Sequence, residues 1–346
     1  MKNIKLKATL FLKVLASTFL ITSCSKSDSP SETQIIEIPT TAPGTTIVFS
    51  GGNSSAITVG GADGPINAAT FNNPTGICAD ISGNLYITER LGNKIRKISS
   101  SGVVSTLVPE NVIINPTGIC VDGQGNLYVS EIDTHTIKKV SPSGTVTNFA
   151  GIASSGDFLD GAANVAKFNF PRGISIDNTG NLYVADTNNH RIRKITQNGT
   201  VTTLAGSSPR GFADGNSLTA KFSYPIAICI DSSNNIYVTD ATNVAIRKIT
   251  LGGDVTTLAG GIDQGDADGI GGAAKFYDPI GLTVDGQGNI YLVDSRNKKI
   301  KKITSTGAVT TILQSANYVN ISGIVFSNNK LFITEPNVCK IHLFQL

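Results

Sequence analysis

The sequence predicts an all-β protein, a six-bladed β-propeller closed by an N-terminal outer strand that completes the last blade. Three observations carry this prediction. One segment recurs along the chain, every complete copy holds four short runs rich in Val, Ile, Thr and Tyr, and an early stretch matches the ends of later copies. Four-stranded antiparallel sheets repeated around an axis are the blades of a propeller.

Residues 1–23 precede this fold. They contain four lysines and no acid, and their apolar stretch over 14–21 is shorter than the roughly 20 residues of a membrane-spanning helix. The sequence ITSC at 21–24 resembles the lipobox of bacterial lipoproteins, which implies cleavage before Cys24 and a lipid on that cysteine. We expect a lipoprotein signal peptide over 1–23 and a lipid anchor in the bacterial outer membrane, with the membrane face left open. The alternative is a plain signal with an incidental cysteine.

Residues 24–43 are rich in Ser, Thr and Pro, which is typical of a flexible tether. The propeller is therefore predicted over 44–346. Removal of the four signal-peptide lysines brings the formal charge of +3 close to neutrality. Nucleic acids are bound by concentrated positive faces, so we expect no nucleic-acid partner.

The clearest copy of the repeat is NLYVADTNNHRIRKITQNGTVTTLAG at 181–206. Its relatives start at Asn84, Asn126, Asn235 and Asn289, with a degraded sixth copy at Lys330. Each follows a short apolar strand, and the two are joined by Asp-x-x-Gly-Asn in most copies. That Gly is predicted to take the left-handed position of a tight hairpin, and Asn234, which replaces it once, tolerates the same geometry.

The chain ends at Leu346, after the third strand of the sixth copy, which leaves one sheet edge unpaired. The early stretch GTTIVFSG at 44–51 is similar to GTVTTLAG at 199–206, the end of a complete copy. We expect 44–51 to pair as the outer strand of the last blade, so that the two ends of the propeller close the ring.

The units PTGICVDGQGNLYVSE at 116–131 and DTNNHRIRKI at 186–195 resemble the NHL repeat family. The resemblance covers 44–346 and departs in the last blade, where Ser327 replaces the turn Asp and the hairpin is one residue shorter. The family includes enzymes, protein-binding and RNA-binding members, so the resemblance implies a scaffold and leaves the activity open.

One acidic residue ends the second strand of every blade. The six are Glu89, Glu131, Asp186, Asp240, Asp294 and Glu335. Strand spacing puts neighbours about 12 Å apart, whereas calcium needs oxygens within about 2.5 Å of one centre. We expect each carboxylate to accept N–H bonds from its own hairpin and to bind no metal.

Three further residue groups are given structural roles. His135 and His190 lie in adjacent blades, too far apart to share zinc, and His342 lies in the last third strand. Four interblade loops carry Asp-Gly and a Phe eight residues after the Asp, which predicts loops pinned by Phe71, Phe168, Phe222 and Phe276. The 264–275 loop lacks both terminal acids of an EF-hand.

Cysteines and basic residues also follow the repeat. Cys78, Cys120 and Cys229 share one position of the innermost strand and, like Cys339, are expected to be free thiols. Adjacent basic pairs recur in the third strands and are expected on solvated outer flanks. The pairs are Arg96 and Lys97, Lys138 and Lys139, Arg193 and Lys194, Arg247 and Lys248, Lys301 and Lys302.

Side chains from different blades converge only at the mouth of the innermost strands. The repeat places Thr75, Thr117, Arg172, Ile226, Ile280 and Ser322 there. Arg172 is the one charge among neutral residues, and with Phe170, Tyr224 and Asp278 nearby it is a candidate site for an anionic or carbonyl-bearing ligand. The alternative is that Arg172 pairs with a neighbouring loop.

These features predict a monomeric, non-catalytic binding scaffold on the cell envelope, with a protein or small ligand on the interblade-loop face and no cofactor. The alternative is an enzyme of the lyase or lactonase type with its site in the channel. The sequence contains no nucleophile elbow and no P-loop, and we assign no catalytic residue.

Overall fold

The structure is a computed structural model that describes residues 42–51 and 59–346. The predicted signal peptide, Cys24 and most of the predicted tether lie outside these residues. The described chain forms six antiparallel sheets of four or five strands, which confirms the six-bladed propeller. Nearly all regular structure is β, with 3-10 helices at Thr187–Asn189, Gly271–Ala273 and Pro336–Val338.

The first half of the propeller contains the closing strand and blades 1 to 3. The closing strand is β1 (Thr46–Ser50), and blade 1 contains β2 (Gly64–Pro65), β3 (Pro74–Ala79), β4 (Leu85–Glu89), β5 (Lys94–Ile98) and β6 (Val103–Val108). Blade 2 contains β7 (Pro116–Val121), β8 (Leu127–Glu131), β9 (Thr136–Val140) and β10 (Val146–Ala150). Blade 3 contains β11 (Gly161–Ala162), β12 (Pro171–Ile176), β13 (Leu182–Asp186), β14 (Arg191–Ile195) and β15 (Thr200–Ala205).

The second half contains blades 4 to 6. Blade 4 contains β16 (Pro225–Ile230), β17 (Ile236–Asp240), β18 (Ala245–Ile249) and β19 (Val255–Gly260). Blade 5 contains β20 (Gly269–Ile270), β21 (Pro279–Val284), β22 (Ile290–Asp294), β23 (Lys299–Ile303) and β24 (Ala308–Gln314). Blade 6 contains β25 (Ile324–Ser327), β26 (Lys330–Glu335) and β27 (Lys340–Gln345).

The ring closes as the sequence predicts. In the last sheet the strand order is β1-β27-β26-β25, and β1 runs antiparallel to β27 with Ile47 opposite Leu343. Phe49 is buried and its ring lies edge-on to Phe332 at 4.9 Å between centroids. The two ends of the described chain therefore share one blade.

The hairpins between first and second strands also match their prediction. Gly180 has φ of +79° and Asn234 has φ of +61°, both in the left-handed region. Asp177 fixes the turn because its carboxylate accepts the N–H groups of Thr179 and Asn181 at 2.9 Å. In blade 6 the shorter hairpin is a two-residue turn in which Asn328 and Asn329 both have positive φ, which is the geometry of a type I′ turn.

The hydrophobic core lies between successive blades. Ile192 of blade 3, for example, packs in one cluster with Ile228 and Val238 of blade 4. The predicted loop anchors Phe71, Phe168, Phe222 and Phe276 are all fully buried. This confirms that the interblade loops are pinned by their phenylalanines.

The prediction for the basic pairs of the third strands was wrong in part. We expected both members on solvated flanks, but Arg96, Arg193, Arg247 and Lys301 have fully buried side chains. Lys138, the first member in blade 2, is partly exposed. The second members are partly exposed in every pair, and each of their ammonium groups lies 5.5–5.9 Å from the centre of a Tyr ring. Consecutive strand residues point to opposite faces, so one member of each pair must face inward.

The buried arginines bind the carboxylates that end the second strands. In blade 3, Arg193 donates to Asp186 at 2.7 Å and to Asp160 of the interblade loop at 2.6 Å, and it also bonds the carbonyls of Lys167 and Leu159. Arg96 and Arg247 repeat this arrangement in blades 1 and 4. Each guanidinium thus ties a sheet to the loop that precedes it.

The second-strand carboxylates have the structural role that we predicted, but with other partners. Asp186 accepts the backbone N–H of Asn169, and Asp240 accepts that of Ser223, so the backbone donors lie in the preceding interblade loop. The hairpin contributes side-chain donors instead, such as Asn189 Nδ2 to Asp186 at 2.8 Å. Burial raises the pKa of Asp240 to about 6, although Asn243, Ser223 and Arg247 oppose this shift. In blade 6 the cation position is taken by His342, 2.6 Å from Glu335.

We predict that removal of β1 destabilises the propeller. A variant that begins after Gly52 loses the buried Phe49 and the partly buried Ile47 and Val48, worth at most about 5 kcal/mol, and exposes the edge of β27. It should melt at a lower temperature or aggregate, as followed by circular dichroism and light scattering. A variant that begins at Thr41 and keeps β1 is the control, and equal melting curves for the two would contradict ring closure.

We also predict that Arg193→Met lowers the free energy of unfolding by about 3–5 kcal/mol, because Asp186 would be left buried without a cation. The control is Lys194→Met, at the adjacent residue on the outer face, which should change it by less than about 0.5 kcal/mol. Urea unfolding followed by tyrosine fluorescence measures both. Equal effects of the two substitutions would show that the buried pair does not stabilise the blade.

Candidate functional site

The mouth of the innermost strands surrounds a central cavity of about 290 Å³. All six residues that the repeat placed there line it: Thr75, Thr117, Arg172, Ile226, Ile280 and Ser322. The prediction that these side chains converge is confirmed.

Glycines allow the innermost strands to approach one another closely. A Cβ on Gly118 would lie 2.1 Å from the carbonyl oxygen of Arg172 in the next blade, and one on Gly76 would lie 2.0 Å from that of Thr117. Ser130 supports the same junction, since it accepts the N–H of Gly118 and donates to the Arg172 carbonyl. The backbone that carries Arg172 is therefore held from the neighbouring blade.

The ring of mouth residues has two chemically different halves. Blades 6, 1 and 2 contribute the hydroxyl groups of Ser322, Thr75 and Thr117, and the amides of Asn320 and Asn73 lie beside them. Blades 4 and 5 contribute Ile226 and Ile280. Behind the mouth an aliphatic collar formed by Ile77, Ile119, Ile174, Ile228, Leu282 and Ile324 completes the wall. A ligand here meets hydrogen-bonding groups on one side and hydrocarbon on the other.

Arg172 stands at the boundary between the two halves. Its guanidinium makes no hydrogen bond or ion pair with any other residue of the described chain, and its Nε atom is buried. Pairing with a neighbouring loop, the alternative that the sequence left open, is therefore not found among these residues. Burial and, next, the charge of Arg90 lower the pKa of Arg172.

Arg90 is a second cation at the cavity, which sequence reasoning missed. It follows β4, at a position where the other blades have Ile132, Thr187, Ala241, Ser295 and Pro336. Its Nε donates to Asn115 Oδ1 at 2.7 Å, and no carboxylate among the described residues lies within ion-pair distance of it. The same comparison between repeats that singled out Arg172 would have found Arg90.

Two like charges thus face one cavity without a carboxylate in its wall. Among the described residues, the lining consists of Arg, Asn, Thr, Ser, Pro, Gly, Ala, Ile and Leu. Guanidinium groups are forked donors that match carboxylates and other oxyanions and stay protonated in proteins. This lining can bind and orient an anion.

A side pocket of about 460 Å³ adjoins the cavity over blades 3 to 5. Arg172 and Ile226 line both spaces, so the two spaces lie next to each other at these residues. The predicted residues Tyr224 and Asp278 lie in this side pocket, together with Tyr277 and Arg296, which were not predicted. Burial raises the pKa of Asp278, against the effect of Arg296.

Phe170 is the predicted ligand-binding residue that lines neither space, which corrects its assignment. Its N–H donates to His135 Nδ1 at 3.1 Å, and the two rings lie edge-on at 4.9 Å. Tyr224 repeats this contact with His190, at 3.2 Å and 4.6 Å. Burial lowers the pKa of both histidines, so the neutral rings act as acceptors that hold loops of the next blade.

The remaining candidate features are metal clusters, membrane-spanning helices and the cysteines. Within 42–51 and 59–346, no group of three or more His, Cys, Asp or Glu residues could hold a metal ion, and no helix is long and apolar enough to span a bilayer. Cys78, Cys120, Cys229 and Cys339 are buried free thiols, as predicted. Cys339 lies in the left-handed turn before β27 and not within that strand.

The NHL repeat family model matches residues 168–195, which run from the loop anchor Phe168 to the end of β14 in blade 3. The chain contains an NHL repeat and folds as a six-bladed β-propeller. NHL repeat-containing protein 2 of Gallus gallus is 37% identical over 112 residues, which cover 32% of this chain. This chain spans 15% of that relative's length, so the likeness concerns the repeat and not the whole protein.

Solved structures resemble this propeller in fold. An auxiliary nutrient binding protein from Bacteroides thetaiotaomicron has a TM-score of 0.67 at 16% identity, and the match covers 86% of this chain and 75% of that one. Virginiamycin B lyase from Staphylococcus aureus has a TM-score of 0.53 at 21% identity, with 80% and 85% covered. At such identities the likeness extends to the fold alone.

Proposed function

We propose that this propeller is a non-catalytic binding protein of the bacterial cell envelope that holds a small oxyanion ligand, typically a carboxylate, in its central cavity. One observation carries the proposal: Arg90 and Arg172 face the same cavity and neither is neutralised by a described carboxylate. Two guanidinium groups of like charge are best satisfied by an anion between them.

The wall of the cavity favours binding over catalysis. Lyase or lactonase chemistry requires a group that takes up or delivers a proton near neutral pH. The described lining offers guanidinium, hydroxyl and amide groups beside aliphatic side chains, which orient a ligand without exchanging protons with it. This chain shares its fold with a nutrient-binding protein and with a lyase, so the wall of the cavity and not the fold favours binding.

The envelope part of the proposal rests on the lipobox-like sequence that ends at Cys24. A lipid on that cysteine, followed by the Ser-, Thr- and Pro-rich segment, would display the propeller at the end of a flexible tether. A binding protein so placed would meet its ligand in the periplasm or outside the cell.

We predict that Arg172→Gln weakens carboxylate binding at least tenfold, because a charge-assisted hydrogen bond contributes about 1.5–3 kcal/mol. Isothermal titration calorimetry with acetate, succinate, gluconate and galacturonate, each paired with a neutral analogue, measures this. Arg90→Gln should have a similar effect.

The control is Arg191→Gln, which removes an equal charge from β14, outside both lining sets, and should leave binding unchanged. The proposal fails if this control matches Arg172→Gln or if neutral analogues bind as well as acids. Turnover in a lactone and ester hydrolysis panel would overturn the non-catalytic role.

For the anchor, we predict that Cys24→Ser abolishes incorporation of labelled palmitate in a bacterial host and moves the protein from the membrane fraction to the soluble fraction. Ser27→Ala, a few residues downstream, is the control and should retain label and membrane association. Membrane association of Cys24→Ser equal to that of the parent would contradict lipidation at this cysteine.

A further inference from the structure

The side pocket over blades 3 to 5 offers a second set of binding groups next to the central cavity. Asn188, Thr242 and Gln264 line it with exposed side chains that make no hydrogen bond to another described residue. Asp278 and Arg296 face each other at 3.9 Å, longer than a hydrogen bond, and both are partly exposed. The pocket therefore presents donors and acceptors together.

Two tyrosines line this pocket. Tyr277 is 38% exposed, with the Arg296 guanidinium 5.4 Å from its ring centre. Tyr224 has the Arg210 guanidinium at 5.2 Å. Tyrosine combines an apolar ring face with a polar edge, a combination that suits ligands with both kinds of surface.

The backbone under these residues is held in place. The carboxylate of Asp294 accepts the N–H groups of both Tyr277 and Asp278, at 3.0 and 3.1 Å. Tyr224 has φ of +55°, which is rare for a bulky side chain, and His190 holds its N–H. Asn73 and Asn115 have the same conformation in blades 1 and 2, where Asn tolerates it more easily. Backbone geometry does not select an aromatic residue here.

We infer that the side pocket binds a sugar ring, and that the full ligand is a carboxylated oligosaccharide, at minimum a disaccharide that contains a uronic acid. This inference rests on the proposed carboxylate site. Arg172 lines both spaces, so an acid group held by Arg172 and Arg90 would place the next unit of the chain beside Tyr277.

The chemistry of the pocket wall favours a saccharide over a hydrocarbon. Each sugar hydroxyl both donates and accepts a hydrogen bond, and the wall offers two amides, a hydroxyl, an acceptor in Asp278 and a donor in Arg296. A hydrocarbon chain in this pocket would leave those groups unpaired, at a cost in affinity. An acidic peptide is the competing occupant and is included in the test.

The test is calorimetric binding of digalacturonic acid, an alginate disaccharide and a hyaluronan disaccharide to the purified protein. Each is compared with its uronic acid monosaccharide, with a neutral disaccharide and with the dipeptide glutamyl-alanine. At least one acidic disaccharide should bind about tenfold or more tighter than its monosaccharide. Tyr277→Ala should abolish that gain without changing the affinity for the monosaccharide, and Asp278→Asn should reduce it.

The matched control is Phe212→Ala, which removes a ring of nearly equal exposure, 40% against 38%, from outside both lining sets. It should preserve the disaccharide gain. If no acidic disaccharide binds more tightly than its monosaccharide, or if the dipeptide binds as well, the sugar subsite is wrong while the carboxylate site stands. If neutral disaccharides bind as tightly and Arg172→Gln has no effect, both proposals fail.

Discussion

Each of several blades buries a cation within its sheet, and the rest of the structure depends on how that charge is paired. An unpaired charge in a protein interior is strongly destabilising, whereas one with a carboxylate and further hydrogen bonds is tolerated. Arg193 meets this condition with Asp186, Asp160 and two loop carbonyls. The same contacts fix the interblade loop, so charge pairing determines the position of the loops as well as the fit of the sheets.

Against this background the two arginines at the central cavity stand out. Arg90 and Arg172 are partly buried, whereas the paired arginines are fully buried, and no described carboxylate lies within ion-pair distance of either Arg90 or Arg172. The close approach at Gly118 and the hydrogen bond from Ser130 hold the Arg172 backbone in place, so the strand cannot shift to carry the side chain away from the cavity. The surrounding asymmetry, with hydroxyls and amides on one side and isoleucines on the other, gives the cavity a direction along which a ligand can be oriented.

Much of the fold could be predicted from the sequence, because residues that make the same contact recur in several copies of the repeat. The blades, the closing strand, the left-handed hairpin positions and the buried loop phenylalanines all follow from residues that recur in register. The buried member of each basic pair was missed, although the alternation of side chains along a strand indicates it. Arg90 is a charged residue at a position where the other blades have neutral residues, and the same comparison identified Arg172. Phe170 and Tyr224 look alike in sequence, and only the three-dimensional path of their loops separates them. The repeat indicated Tyr224 and Asp278 of the side pocket but not Tyr277 and Arg296, which lie in the same wall.

Charge is thus balanced within the blades and unbalanced at the central cavity. Crystals of the protein soaked in sodium bromide, with anomalous diffraction recorded at the bromine edge, test it most directly. We expect a bromide peak between the Arg90 and Arg172 guanidinium groups and none beside Arg96, Arg193 or Arg247, whose charges are already neutralised. A map with no bromide in the central cavity, or with bromide bound at the paired arginines, would contradict it.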